Sequence, residues 1–194
     1  MKNVLAGCAA LALVVAGLAT PVAVALHQRH QLRGLHVVRE GVLYRSAQLP
    51  VAGLERAVAD HGIRTVVNLR DGTTAADRAE EAWCLANGIR FVRIPPLSWA
   101  GVQGNAEVEA GFTRFLEVMR DPANHPVLIH CYRGFHRTGG YVAIYRVEFE
   151  GWSVARAVEE MVDLGYTILD QHQDVQAYLA SYRRTGRYAF SPRR

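Results

Sequence analysis

The stretch that decides the architecture is Ile129-His130-Cys131-Tyr132-Arg133-Gly134-Phe135-His136-Arg137-Thr138-Gly139-Gly140. Before it, Pro126 introduces Val127-Leu128-Ile129. A run that is apolar on both faces predicts a short strand buried inside a sheet. After it, residues 138–149 are apolar almost all round, interrupted only by Arg146 and Glu148. That pattern predicts a central helix buried on every side. A strand, a tight loop and a helix in this order aim several backbone N–H groups and the positive end of the helix dipole at one point. An anion belongs there, and Gly134 permits both the turn and the close approach of backbone to ligand.

Cys131 opens this loop, where the field that attracts an anion also favours a thiolate. Arg137 follows six residues later at the first helical turn, and its planar fork suits bidentate binding of a phosphate. The spacing alone is weak, because Cys84 and Arg90 share it. That second copy has Trp83 before the cysteine, Asn87 in place of the glycine and Phe91 in place of a hydroxyl residue. It falls across a helix end and a strand start, so Cys84 reads as a small buried hydrophobe. The copy at Cys131 has His130 before it, Gly134 within it, Thr138 after it, and the strand–loop–helix frame.

The flanking chain repeats the alternation. Residues 35–38 and 43–45 around Glu40-Gly41 predict a hairpin. Residues 54–61, closed by Gly62, and 75–87, capped by Thr74 and stopped by Gly88, predict helices. The β-branched and apolar residues 65–69 and 90–94 predict strands. Val108, Phe112, Phe115, Leu116 and Met119 share one face of a helix. Ser153 caps a further helix, and a last one covers residues 171–184. Strands alternating with helices predict an α/β three-layer sandwich around a mostly parallel sheet of four or five strands. The 194 residues suit one domain with an appendage. Three cysteines exclude a disulfide scaffold and a four-cysteine zinc site.

His-Cys-x5-Arg-Thr-Gly resembles the signature of the cysteine-dependent tyrosine and dual-specificity phosphatases. The fuller His-Cys-x-Arg-Gly-x-His-Arg-Thr-Gly resembles the plant and fungal atypical dual-specificity phosphatases and their bacterial relatives, and His130 to Gly139 match it residue for residue. Further likeness lies in Gly41-Val42-Leu43-Tyr44-Arg45-Ser46, in Asp121 to Ile129 and in Leu169-Asp170-Gln171, so it spans roughly residues 35–182. The resemblance implies a dual-specificity-phosphatase-like fold over residues 31–184 and a phosphocysteine formed on Cys131. It implies that Arg137 and the N–H groups of Tyr132, Arg133, Gly134, Phe135 and His136 hold the phosphoryl oxygens. Thr138 would help the thiolate leave, and His130 would orient the loop. Arg133 and His136 suit a substrate rich in negative charge. The chemistry needs no metal and no organic cofactor.

A general acid is harder to place. The superfamily takes an aspartate from a loop thirty to forty residues before the cysteine, yet this chain has none between Asp77 and Asp121. Glu107, Glu109 and Asp71 remain as candidates. Glu107 and Glu109 also suit charge compensation at a helix N-terminus. Three readings follow. The first is a phosphatase for phosphorylated proteins or small polyanionic phosphoesters, inositol polyphosphates and pyrophosphates included. The second is a phosphate-binding module without turnover, and the third a sulfur- or arsenate-handling enzyme, against which Thr138 counts.

Residues 4–26 carry no charge, while Lys2 precedes them and His27, Arg29, His30 and Arg33 follow. A run of this length suits a membrane anchor, and Ala23-Val24-Ala25 suits a signal-peptidase site. Residues 1–30 are therefore expected to tether the domain to a membrane or export it. The net charge of +4 is local: residues 183–194 contain five arginines and no acid, leaving −1 elsewhere. No basic stripe with interleaved aromatics exists, so nucleic acid is not the expected partner. Residues 185–194 read as a basic, solvated tail. The sequence leaves the oligomeric state open.

Overall fold

Strands β2 (Leu43–Ser46), β3 (Thr65–Asn68) and β5 (Val127–His130) are buried at every position. The apolar and β-branched runs of β3 and β5 behave this way when both faces of a sheet are covered, and β2 buries Arg45 and Ser46 beside them. The structure, a computed structural model, describes residues 32–95, 106–167 and 173–188. Among these residues the sheet has five strands in the order β1-β2-β5-β3-β4, with β1 (His36–Arg39) and β4 (Arg90–Arg93) at its edges. β5 lies in the middle, parallel to both β2 and β3, and β3 is parallel to β4. Only β1 runs antiparallel, forming the expected hairpin with β2.

The described helices are α1 (Val51–His61), α2 (Ala75–Ala86), α3 (Ala106–Arg120), α4 (His136–Glu150), α5 (Val154–Asp163) and α6 (Gln173–Ser181). Their ends follow local chemistry. Thr74 and Asp77 form a capping box on α2, and the Ser153 hydroxyl accepts the Arg156 N–H on α5. Helix α1 stops at Gly62, whose φ of 64° costs a residue with Cβ about 1 kcal/mol or more.

Strand parity sorts the side chains into two cores. Successive residues point to opposite faces. Tyr44, Val66 and Leu128 therefore pack with Leu54 and Ala57 of α1 and Cys84 of α2. Leu43, Val67, Val127 and Ile129 pack on the other side with Phe112, Phe115, Tyr141, Ile144, Met161 and Leu179. The expected three-layer sandwich is observed. Cys84 is fully buried, and burial pushes its thiol up to about 12, as an inert core residue requires.

Two expectations are corrected. The membrane-anchored or exported location is overturned, since no helix among the described residues is long and apolar enough to cross a membrane. Residues 1–30, on which that expectation and the membrane contact rested, lie outside the described residues. The last helix is also shorter than residues 171–184, ending at Ser181. The chain leaves it because Glu148, fully buried on α4, collects the next donors. The Tyr182 hydroxyl, the Thr185 N–H and the Thr185 hydroxyl donate to its carboxylate at 2.9, 2.7 and 2.9 Å. Arg184 donates to its carbonyl at 3.2 Å. The start of the basic tail is thus docked through Tyr188, which packs against Phe149; residues 189–194 lie outside the described residues.

Replacing Glu148 with Ala leaves these donors unpaired and should cost about 2–4 kcal/mol. The check is the urea unfolding midpoint together with trypsin cleavage at Arg183 and Arg184. The midpoint should fall and cleavage should quicken.

Candidate active site

Cys131 leaves the carboxyl end of the central strand and is 3% exposed. The Gly134 N–H donates to its Sγ at 3.3 Å. The loop can fold back this far because Gly134 sits at φ 80°. A Cβ there would lie 2.5 Å from both Ala47 N and Ser46 O, so backbone closes the space to any side chain. Helix α4 then begins at His136 with no side chain capping it and no acid in its first turn. Its leading N–H groups are left for an anion.

The far side of the loop rests on the end of β2. The Gln48 N–H donates to Tyr132 O at 3.3 Å, and Arg45 Nη2 donates to Gly134 O at 2.7 Å. Arg45 is 2% exposed. It shares the face of Leu43 and so points towards α4 and α5. Sequence reasoning carried Arg45 only as part of a matching segment. Nothing local marked it as part of the site, because an arginine in a four-residue strand reads as an edge.

The opposite face holds a second polar layer. Asn68 and His130 are register partners on adjacent strands, so both point towards α2. Glu80 of α2, 2% exposed, meets them there. Its Oε1 lies 2.8 Å from His130 Nε2, and its Oε2 accepts from Asn68 Nδ2 at 2.6 Å. His130 Nδ1 is 3.4 Å from the carbonyl oxygen of Cys131. His130 thus stands between Glu80 and the first carbonyl of the loop. One turn earlier, Asp77 is fully buried and accepts from Arg70, Gln48 and Thr74. Burial pulls its pKa up, but bonds from Arg70 and Thr74 outweigh this and hold the carboxyl well below the usual 3.8. Arg70, fixed in this way, lies over the Tyr132 ring at 5.2 Å. Neither Glu80 nor Asp77 was singled out beforehand. Their i, i+3 spacing with Cys84 at i+7 was the available signal, a buried helical face with two acids in it.

The remaining residues are placed as follows. Arg137 Nη1 donates to Leu69 O at 3.3 Å, and Leu69 N–H donates to the carbonyl of His130. The guanidinium is thereby held beside the start of the loop. Thr138 is fully buried, and its Oγ1 has no partner among the described residues. Tyr132 is 63% exposed and Arg133 is exposed, while Phe135 and His136 pack against Tyr166. Asp71 is exposed and accepts from the Thr73 N–H and hydroxyl, which lower its pKa. That environment favours the ionised form, the wrong one for donating a proton. Glu107 begins α3, but its side chain lies outside the described residues. Glu109 borders a groove lined by Phe112, Leu116, Tyr178 and Tyr188. Among the described residues no group of three or more His, Cys, Asp or Glu side chains could hold a metal ion.

Comparison with known proteins adds independent findings. A family model described as DSP-PTPase phosphatase fused to NAD+ kinase matches residues 22–177. The dual specificity protein phosphatase TpbA of Pseudomonas aeruginosa strain UCBPP-PA14 is 33% identical over 138 residues, 71% of this chain and 57% of that protein. The chain therefore spans little more than half of that relative's length. Inositol diphosphatase SIW14 of Saccharomyces cerevisiae is 38% identical over 65 residues, 31% of this chain and 23% of that protein. The crystal structure of P. aeruginosa TpbA superposes with a TM-score of 0.62 at 25% identity, covering 78% of this chain and 86% of that one. The SIW14 catalytic domain superposes with a TM-score of 0.63 at 21% identity, covering 78% and 86%, and so shares the fold.

Gly134→Ala should weaken vanadate binding by roughly ten-fold or more, since the loop must shift to admit the methyl group. Isothermal titration of the two proteins with orthovanadate checks this. Asp77 generates a pH dependence. Its folded pKa lies below the unfolded one, so its contribution is present above pH 3.8 and disappears as pH falls through that value towards the folded one. Chemical unfolding at pH 6 and pH 3 should show a loss on the order of 1 kcal/mol that Asp77→Asn does not share.

Proposed function

We propose that this chain, which belongs to the DSP-PTPase phosphatase family, hydrolyses phosphate monoesters through a phosphocysteine on Cys131. The observation that carries the reading is the Gly134 N–H turned onto the Cys131 sulfur at 3.3 Å, at the mouth of an uncapped buried helix. A loop amide turned onto the sulfur, beside the free N–H groups of a helix start, places a phosphoryl group where that sulfur can reach it.

In the first step the Cys131 thiolate attacks phosphorus in line. The S–P bond forms as the ester P–O bond breaks, and the leaving oxygen takes a proton. Arg137 and the loop amides neutralise charge on the equatorial oxygens. In the second step water attacks phosphorus, the S–P bond breaks, and inorganic phosphate departs. The unpartnered Thr138 hydroxyl, buried beside the loop, can donate to the sulfur as it regains its charge. Glu107 stays the candidate proton donor, together with Asp71, although the two bonds from Thr73 disfavour Asp71. Positioned general acids contribute ~10²–10⁴ in rate, so a weakly supplied one favours good leaving groups. Aryl phosphates and phosphoanhydrides are the fitting substrates.

Phosphotyrosine is supported by a structure of a cysteine-to-serine TpbA variant in complex with pTyr, similar over 76% of this chain at 26% identity. A second reading, an inositol pyrophosphate, has its own observation. Arg70 stands at the loop, and the exposed Arg133 adds another cation at the rim. Plant and yeast inositol diphosphatases are among the relatives. For either substrate the residues imply no metal and no organic cofactor.

Hydrolysis of p-nitrophenyl phosphate should be measurable and should vanish in Cys131→Ser, while orthovanadate inhibits it. Phosphotyrosine peptides should turn over at least ~10²-fold faster than phosphoserine peptides, the low end of a general acid's worth. Equal rates on the two peptides would overturn the leaving-group argument. Phosphate release from an inositol pyrophosphate, compared at matched concentration, decides between the two substrate classes.

A further inference from the structure

We propose that Arg45 is a positioning residue of the phosphate cradle: from beneath the loop it fixes the Gly134–Phe135 peptide so that the Phe135 N–H faces the bound phosphoryl group. The inference rests on the phosphatase reading above and adds a residue that lies outside the signature.

A peptide unit is planar and trans, so its C=O and N–H point in opposite directions. Arg45 Nη2 donates to the carbonyl of Gly134 at 2.7 Å from the β2 side. That bond turns the N–H of the same peptide, which belongs to Phe135, away from β2. The Gln48 N–H does the same to the Tyr132–Arg133 peptide through Tyr132 O at 3.3 Å. Two peptides of the loop are thus locked from the β2 side, one by the backbone just after the strand and one by a charged side chain of the strand.

The charge is the telling feature. Arg45 is 2% exposed, and its Nη1 has no partner among the described residues. Glu160, the carboxylate whose charge acts on it, is held by Arg146 at 2.5 Å. The guanidinium also lies 3.7 Å from where a Cβ of Gly139 would be, against the first turns of α4. A cation beside the positive end of a helix is disfavoured, and a buried cation without a dedicated carboxylate is disfavoured further. Burial accordingly lowers its pKa, while Glu160 and the Cys131 sulfur oppose this. An uncharged donor of similar volume would serve the Gly134 carbonyl equally well for folding alone. The cation becomes favourable when the loop carries a thiolate or a phosphate dianion. Stability is given up at this position for anion binding, as functional sites commonly require.

The test compares the full-length wild type with Arg45→Met, Arg45→Lys and Cys131→Ser. Three quantities are read: the thermal midpoint without ligand, orthovanadate affinity, and kcat and KM on p-nitrophenyl phosphate. Arg45→Met removes a buried charge but also the donor to Gly134 O, so it should unfold close to the wild-type temperature. Its vanadate affinity and kcat should fall about ten-fold or more, as for one donor lost from an oxyanion site. Arg45→Lys, with one charged donor, should recover part of both. The proposal is overturned if Arg45→Met binds vanadate and turns over like wild type. It is equally overturned if activity falls only in proportion to lost folded protein, or if lysine rescues nothing. Should Arg45→Met not fold, Arg45→Gln and Arg45→Lys carry the same comparison. Activity persisting in Cys131→Ser would instead sink the phosphatase reading. Inorganic phosphate affinity of wild type against Arg45→Met would then still decide the role of Arg45.

Discussion

A loop that binds an anion with its amides must turn its carbonyls the other way, and buried carbonyls need donors. This constraint organises the molecule around Cys131. The donors come from β2 and the segment that leaves it, which supply the Arg45 guanidinium to Gly134 and the Gln48 N–H to Tyr132. β2 can do so because it lies directly beside β5, parallel and in register, with Arg45 opposite Ile129 and Ser46 opposite His130. The same proximity excludes a side chain at Gly134. Strand order, register and the glycine are consequences of one geometric demand.

The other wall is built by α2. Its buried face carries Asp77, Glu80 and Cys84 in succession, polar near the loop and apolar towards the core. Asp77 is satisfied several times over, and each oxygen of Glu80 faces one nitrogen. Asp77 holds Arg70, Gln48 and Thr74, and Glu80 holds His130 and Asn68. Buried acids of this kind contribute little net stability, but removing one partner strands the other. Their effect is to fix where Arg70 and His130 stand, and so the shape of the rim and the path of the chain into Cys131.

Much of this was legible beforehand. The two continuous apolar strands, the apolar helix after residue 138, the caps at Thr74 and Ser153 and the turns at Gly62 and Gly134 all lie in local chemistry that a sequence displays. The second Cys-x5-Arg copy could be set aside on the same grounds, and Cys84 is indeed core. The last helix was overextended because residues 182–184 continue a helical pattern. What stops them is Glu148, thirty-four residues earlier in the chain. The expected membrane location rested on the apolar run of residues 4–26, its basic flanks and Ala23-Val24-Ala25, and no membrane-crossing helix exists among the described residues.

The division follows the range of the forces. Cys131, Gly134, Arg137 and Thr138 fall within eight residues, and the backbone dipoles that make them a site are generated by that same segment, so sequence suffices to find them. Arg45, Asn68, Arg70, Asp77 and Glu80 come from two strands, a loop and a helix distant in the chain. Their placement depends on which strands become neighbours and on which face each residue occupies. A one-residue slip of register would have turned Arg45 towards α2 and His130 away from Glu80. Packing of the two cores against the sheet prevents that slip, and only the assembled fold contains it.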